Sequence, residues 1–156
     1  SKVLAAVLFA LCVVPSVYGA RYNGVPLVLE GSVYCDTCRC GFETAASTKI
    51  AGATVRVECR DRKTSELTYT KEAVTGAAGR YSVLVEDDRG DDYCDAVLAK
   101  SSDPECDTPG AESDRARVIL TRNNGISSSA RFANAMGFLK NTPLSNCPEI
   151  LQKYQE

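Results

Sequence analysis

Ala53-Thr54-Val55-Arg56-Val57-Glu58-Cys59-Arg60 is the stretch that decides the fold class. Val55, Val57 and Cys59 fall on one face, and Arg56, Glu58 and Arg60 on the other, which is the period of a strand with one buried and one wet side. The same alternation recurs in Tyr81-Ser82-Val83-Leu84-Val85-Glu86 and in Arg115-Ala116-Arg117-Val118-Ile119-Leu120-Thr121. Leu27 to Tyr34, Leu67 to Thr75 and Tyr93 to Ala99 are further strand segments, rich in β-branched and aromatic residues. A weaker seventh spans Ala130 to Leu139. Gly76-Ala77-Ala78-Gly79, the acidic run from Asp87 to Asp92 and Asn123-Asn124-Gly125 read as the loops between them. The acidic run reads as a hairpin loop, and Asn124-Gly125 favours a tight hairpin because both positions tolerate positive φ. Only the tail reads as helical, with Ser145 or Asn146 as cap, Pro148 in the first turn, and Ile150, Leu151 and Tyr154 at helical spacing. The expected fold is all-β: a single antiparallel β-sandwich or small barrel of about seven strands with Greek-key links, closed by a short C-terminal helix.

The first nineteen residues have a different character. Lys2 precedes the apolar run Val3 to Val14, which ends at Pro15, and Gly19 offers a small side chain to a signal peptidase. This order predicts a secretory signal peptide over residues 1–19, cleaved after Gly19 or after Ala20, and one domain over 20–156. The run is too short to cross a bilayer, which takes roughly 20 apolar residues, so no membrane span is expected. Loss of Lys2 from the 18 basic residues leaves 17 against 20 acidic ones. A mildly acidic surface of this kind excludes nucleic acid as the expected partner, because counterion release needs a basic face.

Eight cysteines are present, and Cys12 would leave with the leader. The other seven, Cys35, Cys38, Cys40, Cys59, Cys94, Cys106 and Cys147, follow an export signal and predict disulfides in an oxidising compartment. Cys35-Asp36-Thr37-Cys38 is also a C-x-x-C pair that zinc or a redox dithiol would use. The chain has no His and no second C-x-x-C, and its segments run strand after strand, so neither use is expected. Six cysteines allow fifteen connectivities, and spacing does not choose among them.

Glu30-Gly31-Ser32-Val33-Tyr34-Cys35-Asp36-Thr37-Cys38-Arg39 resembles the signature of the Ole e I-like family, named for the main olive pollen allergen. The resemblance continues through Gly41-Phe42-Glu43-Thr44, the strand from Gly52 to Cys59, Tyr81, Cys94 and Cys106, then Arg131-Phe132-Ala133-Asn134, Gly137-Phe138-Leu139 and Cys147. It implies that Cys35 pairs with Cys106, Cys38 with Cys147 and Cys59 with Cys94, which would give three disulfides. It also implies a small residue such as Ala at position 40, so Cys40 is a departure. The thiol is read as a buried, inert substitute, with a disulfide-linked dimer or a reshuffled bridge as the alternatives. Ala51 to Val57 and Thr75 to Tyr81 are also similar to the transthyretin-like and carboxypeptidase-regulatory sandwich pattern, with glycines in turns and a Tyr opening a core-facing strand, so the sandwich is expected to be transthyretin- or Ig-like.

No catalytic, cofactor-binding or metal-binding residue is expected. Without His, the usual general base at neutral pH is missing. Glu86, Asp87, Asp88, Asp91 and Asp92 are the one carboxylate cluster, and their spacing is not that of a calcium loop. No Asn is followed two places on by Ser or Thr without a Pro disqualifying it, so no N-glycan is expected. The reading is a secreted, non-enzymatic plant protein whose partner is an extracellular wall component or surface receptor, monomeric unless Cys40 links two copies; the alternatives are a secreted cysteine-rich signalling ligand and a carbohydrate-active enzyme working through paired carboxylates. The family resemblance implies a role in pollen hydration, germination or tube growth, and potential allergenicity.

Overall fold

The computed structural model describes residues 26–155, so the leader and its cleavage point lie outside the described residues. Alternation in the sequence becomes two sheets packed face to face. The strands are β1 (Leu27–Asp36), β2 (Thr48–Lys49), β3 (Thr54–Asp61), β4 (Leu67–Val74), β5 (Arg80–Val85), β6 (Asp92–Lys100), β7 (Thr108–Pro109), β8 (Arg115–Val118), β9 (Ala130–Phe132) and β10 (Met136–Leu139), followed by the helix α1 (Cys147–Gln152). One sheet runs in the order β4-β3-β6-β8 and is antiparallel throughout. The other is built around β1 and mixes directions.

β1 is the spine of that second sheet. One edge pairs antiparallel with β5 over Leu27–Ser32 and then with β2 at Tyr34 and Cys35. The opposite edge pairs parallel with β9 over Val28–Glu30 and then with β10 over Val33–Asp36. Val33 is where partners change: its N–H donates to Gly79 O and its carbonyl accepts from Ile50 N. Gly79 sits at φ 71°, and a Cβ there would lie 2.7 Å from Val33 O, so the turn needs glycine at this position.

The two-sheet sandwich, the short terminal helix and three disulfides agree with expectation, and among the described residues no closed barrel forms. Three details differ. Ten strands replace about seven, because β2 and β7 are two-residue bridges too short to show a period, and the Ala130–Leu139 segment divides into β9 and β10 after the last rung of the β1–β9 ladder, Ala133 N–H to Glu30 O. The β1 sheet is mixed rather than antiparallel, since β9 and β10 run alongside β1 in its own direction. Finally, neither the acidic run nor Asn124-Gly125 closes a hairpin. Each lies in a connection from one sheet to the other, β5 to β6 and β8 to β9, and Gly125 takes positive φ in a free-standing turn.

The predicted inward faces form the core. Leu27, Leu29 and Val33, with Val55, Val57, Val83, Val85, Ala96, Leu98, Val118, Met136 and Phe138, pack in one cluster. Each large side chain so buried stabilises the fold by about 1.5–3 kcal/mol. Asn146 takes the N-cap position of α1, but its side chain makes no capping bond, so the Pro148 turn and the Cys147 anchor hold that helix start.

Two tyrosines lie across glycines on the neighbouring strand. Tyr81 is paired with Gly31, and a Cβ at Gly31 would overlap the Tyr81 hydroxyl and stand 2.5 Å from Cζ. Tyr34 is paired with Gly137, where a Cβ would meet the ring at 2.6 Å. The signature glycine is therefore the floor on which the Tyr81 ring rests. The Tyr81 hydroxyl is buried without a protein partner, and burial pushes its pKa from 10.0 up to about 12.

Gly31→Ala should destabilise the domain by about 1–3 kcal/mol in urea unfolding, because the ring has to leave its seat. Tyr81→Phe should be neutral or stabilising, since it removes an unpaired buried hydroxyl. The unfolded phenol ionises near 10 while the folded one holds its proton to about 12, so stability should fall as pH rises through that interval. Tyr81→Phe should flatten that fall.

Candidate functional site

The signature segment turns out to be a structural joint. Cys35 on β1 bridges Cys106, Cys38 just beyond β1 bridges Cys147 at the start of α1, and Cys59 bridges Cys94 directly across the β3–β6 ladder. The Cα separations are 6.0, 5.4 and 4.1 Å. Between the first two anchors, the fully buried Asp36 accepts hydrogen bonds from Cys40 N at 3.1 Å and Gly41 N at 2.7 Å. Thr37 Oγ1 donates to Ala46 O at 3.0 Å, and Arg39 Nη1 donates to Lys140 O at 2.9 Å. Asp36 and Thr37 thus fold the β1–β2 loop onto itself, and Arg39 ties it to the chain after β10. The loop is continued by Phe42, which meets Tyr154 edge-on at 5.5 Å, and by Ala45, whose N–H donates to the Tyr154 hydroxyl.

Cys40 is unpaired and half-buried rather than buried, with Sγ 3.5 Å from Asp36 Oδ1 and 3.3 Å from Phe42 O. Burial pushes its thiol pKa up, and the negative charge of Asp36 adds to that. A thiol held in its neutral form is a poor nucleophile.

The acidic run is distributed over separate tasks. Asp88 accepts from Gly90 N, Arg122 N and the Thr121 hydroxyl at 2.8–3.0 Å, clasping the β5–β6 connection to the chain after β8. Burial pushes the Asp88 carboxyl up, but these hydrogen bonds outweigh it and leave the pKa lowered. Asp92 accepts from the Thr68 hydroxyl, and Asp87 and Asp92 stand 3.7 and 3.8 Å from Arg89. Among the described residues no three His, Cys, Asp or Glu side chains converge as a cation would require.

The outer face of the four-stranded sheet carries a ladder of charge that no single segment reveals. Glu72, Arg56, Glu58, Arg115, Asp95 and Arg117 alternate in sign across β4, β3, β8 and β6 at 2.8–3.9 Å. It ends on Tyr93, whose ring lies under both Arg117 and Arg62 at 4.9 and 4.6 Å. Arg62 has no carboxylate partner among the described residues. A cleft of about 210 Å³ opens here, between Arg62, Arg89, Tyr93, Arg117 and Ile119. It runs into a groove of about 400 Å³ between β8 and β9 that shares Arg117, Val118 and Ile119 with it. Sequence reading placed Arg117 on a wet face but had no means of joining it to Arg62 and Tyr93, because strand register brings them together.

The model of the family described as Pollen protein Ole e 1 like matches residues 26–155, and those residues hold both sheets and all three bridges. The chain belongs to the Ole e 1-like pollen protein family. It is similar to the protein DOWNSTREAM OF FLC of Arabidopsis thaliana, 43% identical over 99% of this chain and 94% of that protein. It is similar to the pollen-specific protein C13 of Zea mays, 45% identical over 96% of this chain and 88% of that protein. The crystal structure of the major plantain pollen allergen Pla l 1 superposes with a TM-score of 0.71 at 27% identity, covering 79% of this chain and all of that one. None of these three names describes an enzyme, and among the described residues no helix is long and apolar enough to cross a membrane.

Asp36→Ala should cost this Ole e 1-like domain about 2–4 kcal/mol, because it leaves two backbone donors in the joint unpaired. Cys40→Ala should stay within about 1 kcal/mol of the parent, since a half-exposed neutral thiol is traded for a methyl. Iodoacetamide at neutral pH should alkylate Cys40 more slowly than free cysteine, with the rate rising as pH approaches the raised thiol pKa.

Proposed function

We propose that the mature chain is a secreted, non-enzymatic extracellular protein of pollen, acting by binding a wall component or a surface receptor during hydration, germination or tube growth. The observation that carries this reading is family membership together with three bridges. Relatives 45% and 42% identical carry the names pollen-specific protein C13 and pollen allergen Cro s 1, and bridges persist in oxidising compartments such as the extracellular space. The apolar leader before Pro15 supports export. Within the acidic run, Asp88 serves as a loop clasp and Asp87 and Asp92 as ion-pair partners of Arg89, which favours binding over catalysis. A domain held by three covalent ties also resists proteolysis, and allergenicity would follow from that persistence.

Protein recovered from hydrated pollen washes should begin at Ala20 or Arg21, and peptide mapping without reduction should return three bridged pairs with Cys40 free. Incubation with wall polysaccharides should release no new reducing ends, and Asp88→Ala should change nothing in that assay. Retention inside the cell with the leader attached, or polysaccharide turnover that Asp88→Ala abolishes, would overturn the reading.

A further inference from the structure

The groove between β8 and β9 follows the free edges of two strands. Among the described residues β8 pairs only with β6, and β9 only with β1. Arg117, Val118 and Ile119 line it consecutively from one side, and Ala130, Arg131 and Phe132 consecutively from the other. Successive side chains of a strand point to opposite faces, so consecutive lining means that the groove runs along the strand edge and not over a sheet face. An unpaired edge offers backbone donors and acceptors to an incoming chain.

Its chemistry selects the incoming chain. Arg131 is 5% exposed; its guanidinium donates to the carbonyls of Thr121, Ser128 and Ala130, and among the described residues it has no carboxylate in contact and Nε finds no partner. Arg117 gives only Nε to Asp95 at 2.8 Å and, with Arg62, overhangs Tyr93 at the mouth of the adjoining cleft. Around these cations stand three exposed apolar side chains, Ile119, Ile126 and Phe132, at 58, 49 and 71% exposure. A buried guanidinium among carbonyls, in a chain with more acids than bases, creates a local field for one negative group.

We propose that this groove binds an extended segment of a partner protein by strand addition to β8, with carboxylate side chains on the outer face toward Arg117 and Arg62 and apolar side chains against Ile126 and Phe132. A second copy of this chain is disfavoured as occupant, because the β8 edge would bring Arg115 and Arg117 against their own equivalents. The proposal goes beyond the extracellular reading above, since it fixes a surface and a class of partner whatever the compartment.

The test uses the purified mature chain and a displayed library of random heptapeptides. Selected peptides should alternate Asp or Glu with Val, Ile or Phe and should bind saturably in fluorescence polarisation. Affinity should fall at least tenfold with Arg117→Glu and with Phe132→Ser, fall with added salt, and disappear when alternate amides of the peptide are N-methylated. Phe132 is mostly exposed, so Phe132→Ser keeps the fold, and a matched circular dichroism spectrum checks it. No enrichment, a basic consensus, affinity unchanged by both variants, or indifference to N-methylation would each overturn the proposal. So would sedimentation as a dimer that Phe132→Ser dissociates, since the groove would then belong to a second copy.

Discussion

The structure depends on β1 having a partner on each edge along most of its length. From Val33 onward this strand is covered on both faces as well, and Val33, Tyr34, Cys35 and Asp36 are all nearly inaccessible. That excludes the ordinary alternation of a sandwich strand over its second half, where the signature lies. It also demands that four separate segments, β2, β5, β9 and β10, be delivered to it from distant parts of the chain. Two of them, β2 and β9, are only two and three residues long, and such short pieces contribute little pairing of their own. The joint at its end makes up the difference. Cys35 and Cys38 fasten it to positions 71 and 109 residues away, and Asp36 folds the intervening loop back with two backbone hydrogen bonds. Long loops closed covalently remove the most freedom from the unfolded chain, about 4–5 kcal/mol each at these lengths.

What could be read in the sequence was whatever is periodic. β3, β5, β6 and β8 were visible because each keeps one face wet along its length, and their inward residues are the core. The parallel pairing of β9 and β10 was invisible, since a parallel and an antiparallel neighbour impose the same alternation on a short strand. Asn124-Gly125 misled for a related reason: the dipeptide reports a permissive backbone, and Gly125 does adopt positive φ, but whether the flanking strands meet is decided by which sheet each joins. The signature was legible only as a likeness. Asp36 and Gly31 explain themselves once Gly41 N and the Tyr81 ring are seen against them, and neither contact has a spacing that a sequence would display.

The two flanks of the sandwich are closed unequally, and the difference places the binding surface. On one flank Lys71 of β4 reaches across to donate to Leu84 O of β5, so the sheets are joined there by a direct bond at 2.6 Å. On the other flank, β8 and β9 are linked through the Thr121–Ser129 connection, with Arg131 bonded to its carbonyls at Thr121 and Ser128, and Gly137 N–H of β10 donates to Ser113 O just before β8. Both bridges from the signature hold the opposite end of β1, and the third, Cys59–Cys94, ties β3 to β6 behind β8 without covering the outer edge of β8. A protein cross-linked in this way can leave that edge open without losing its fold. Arginine on that edge keeps it from pairing with copies of itself while leaving it receptive to an acidic strand.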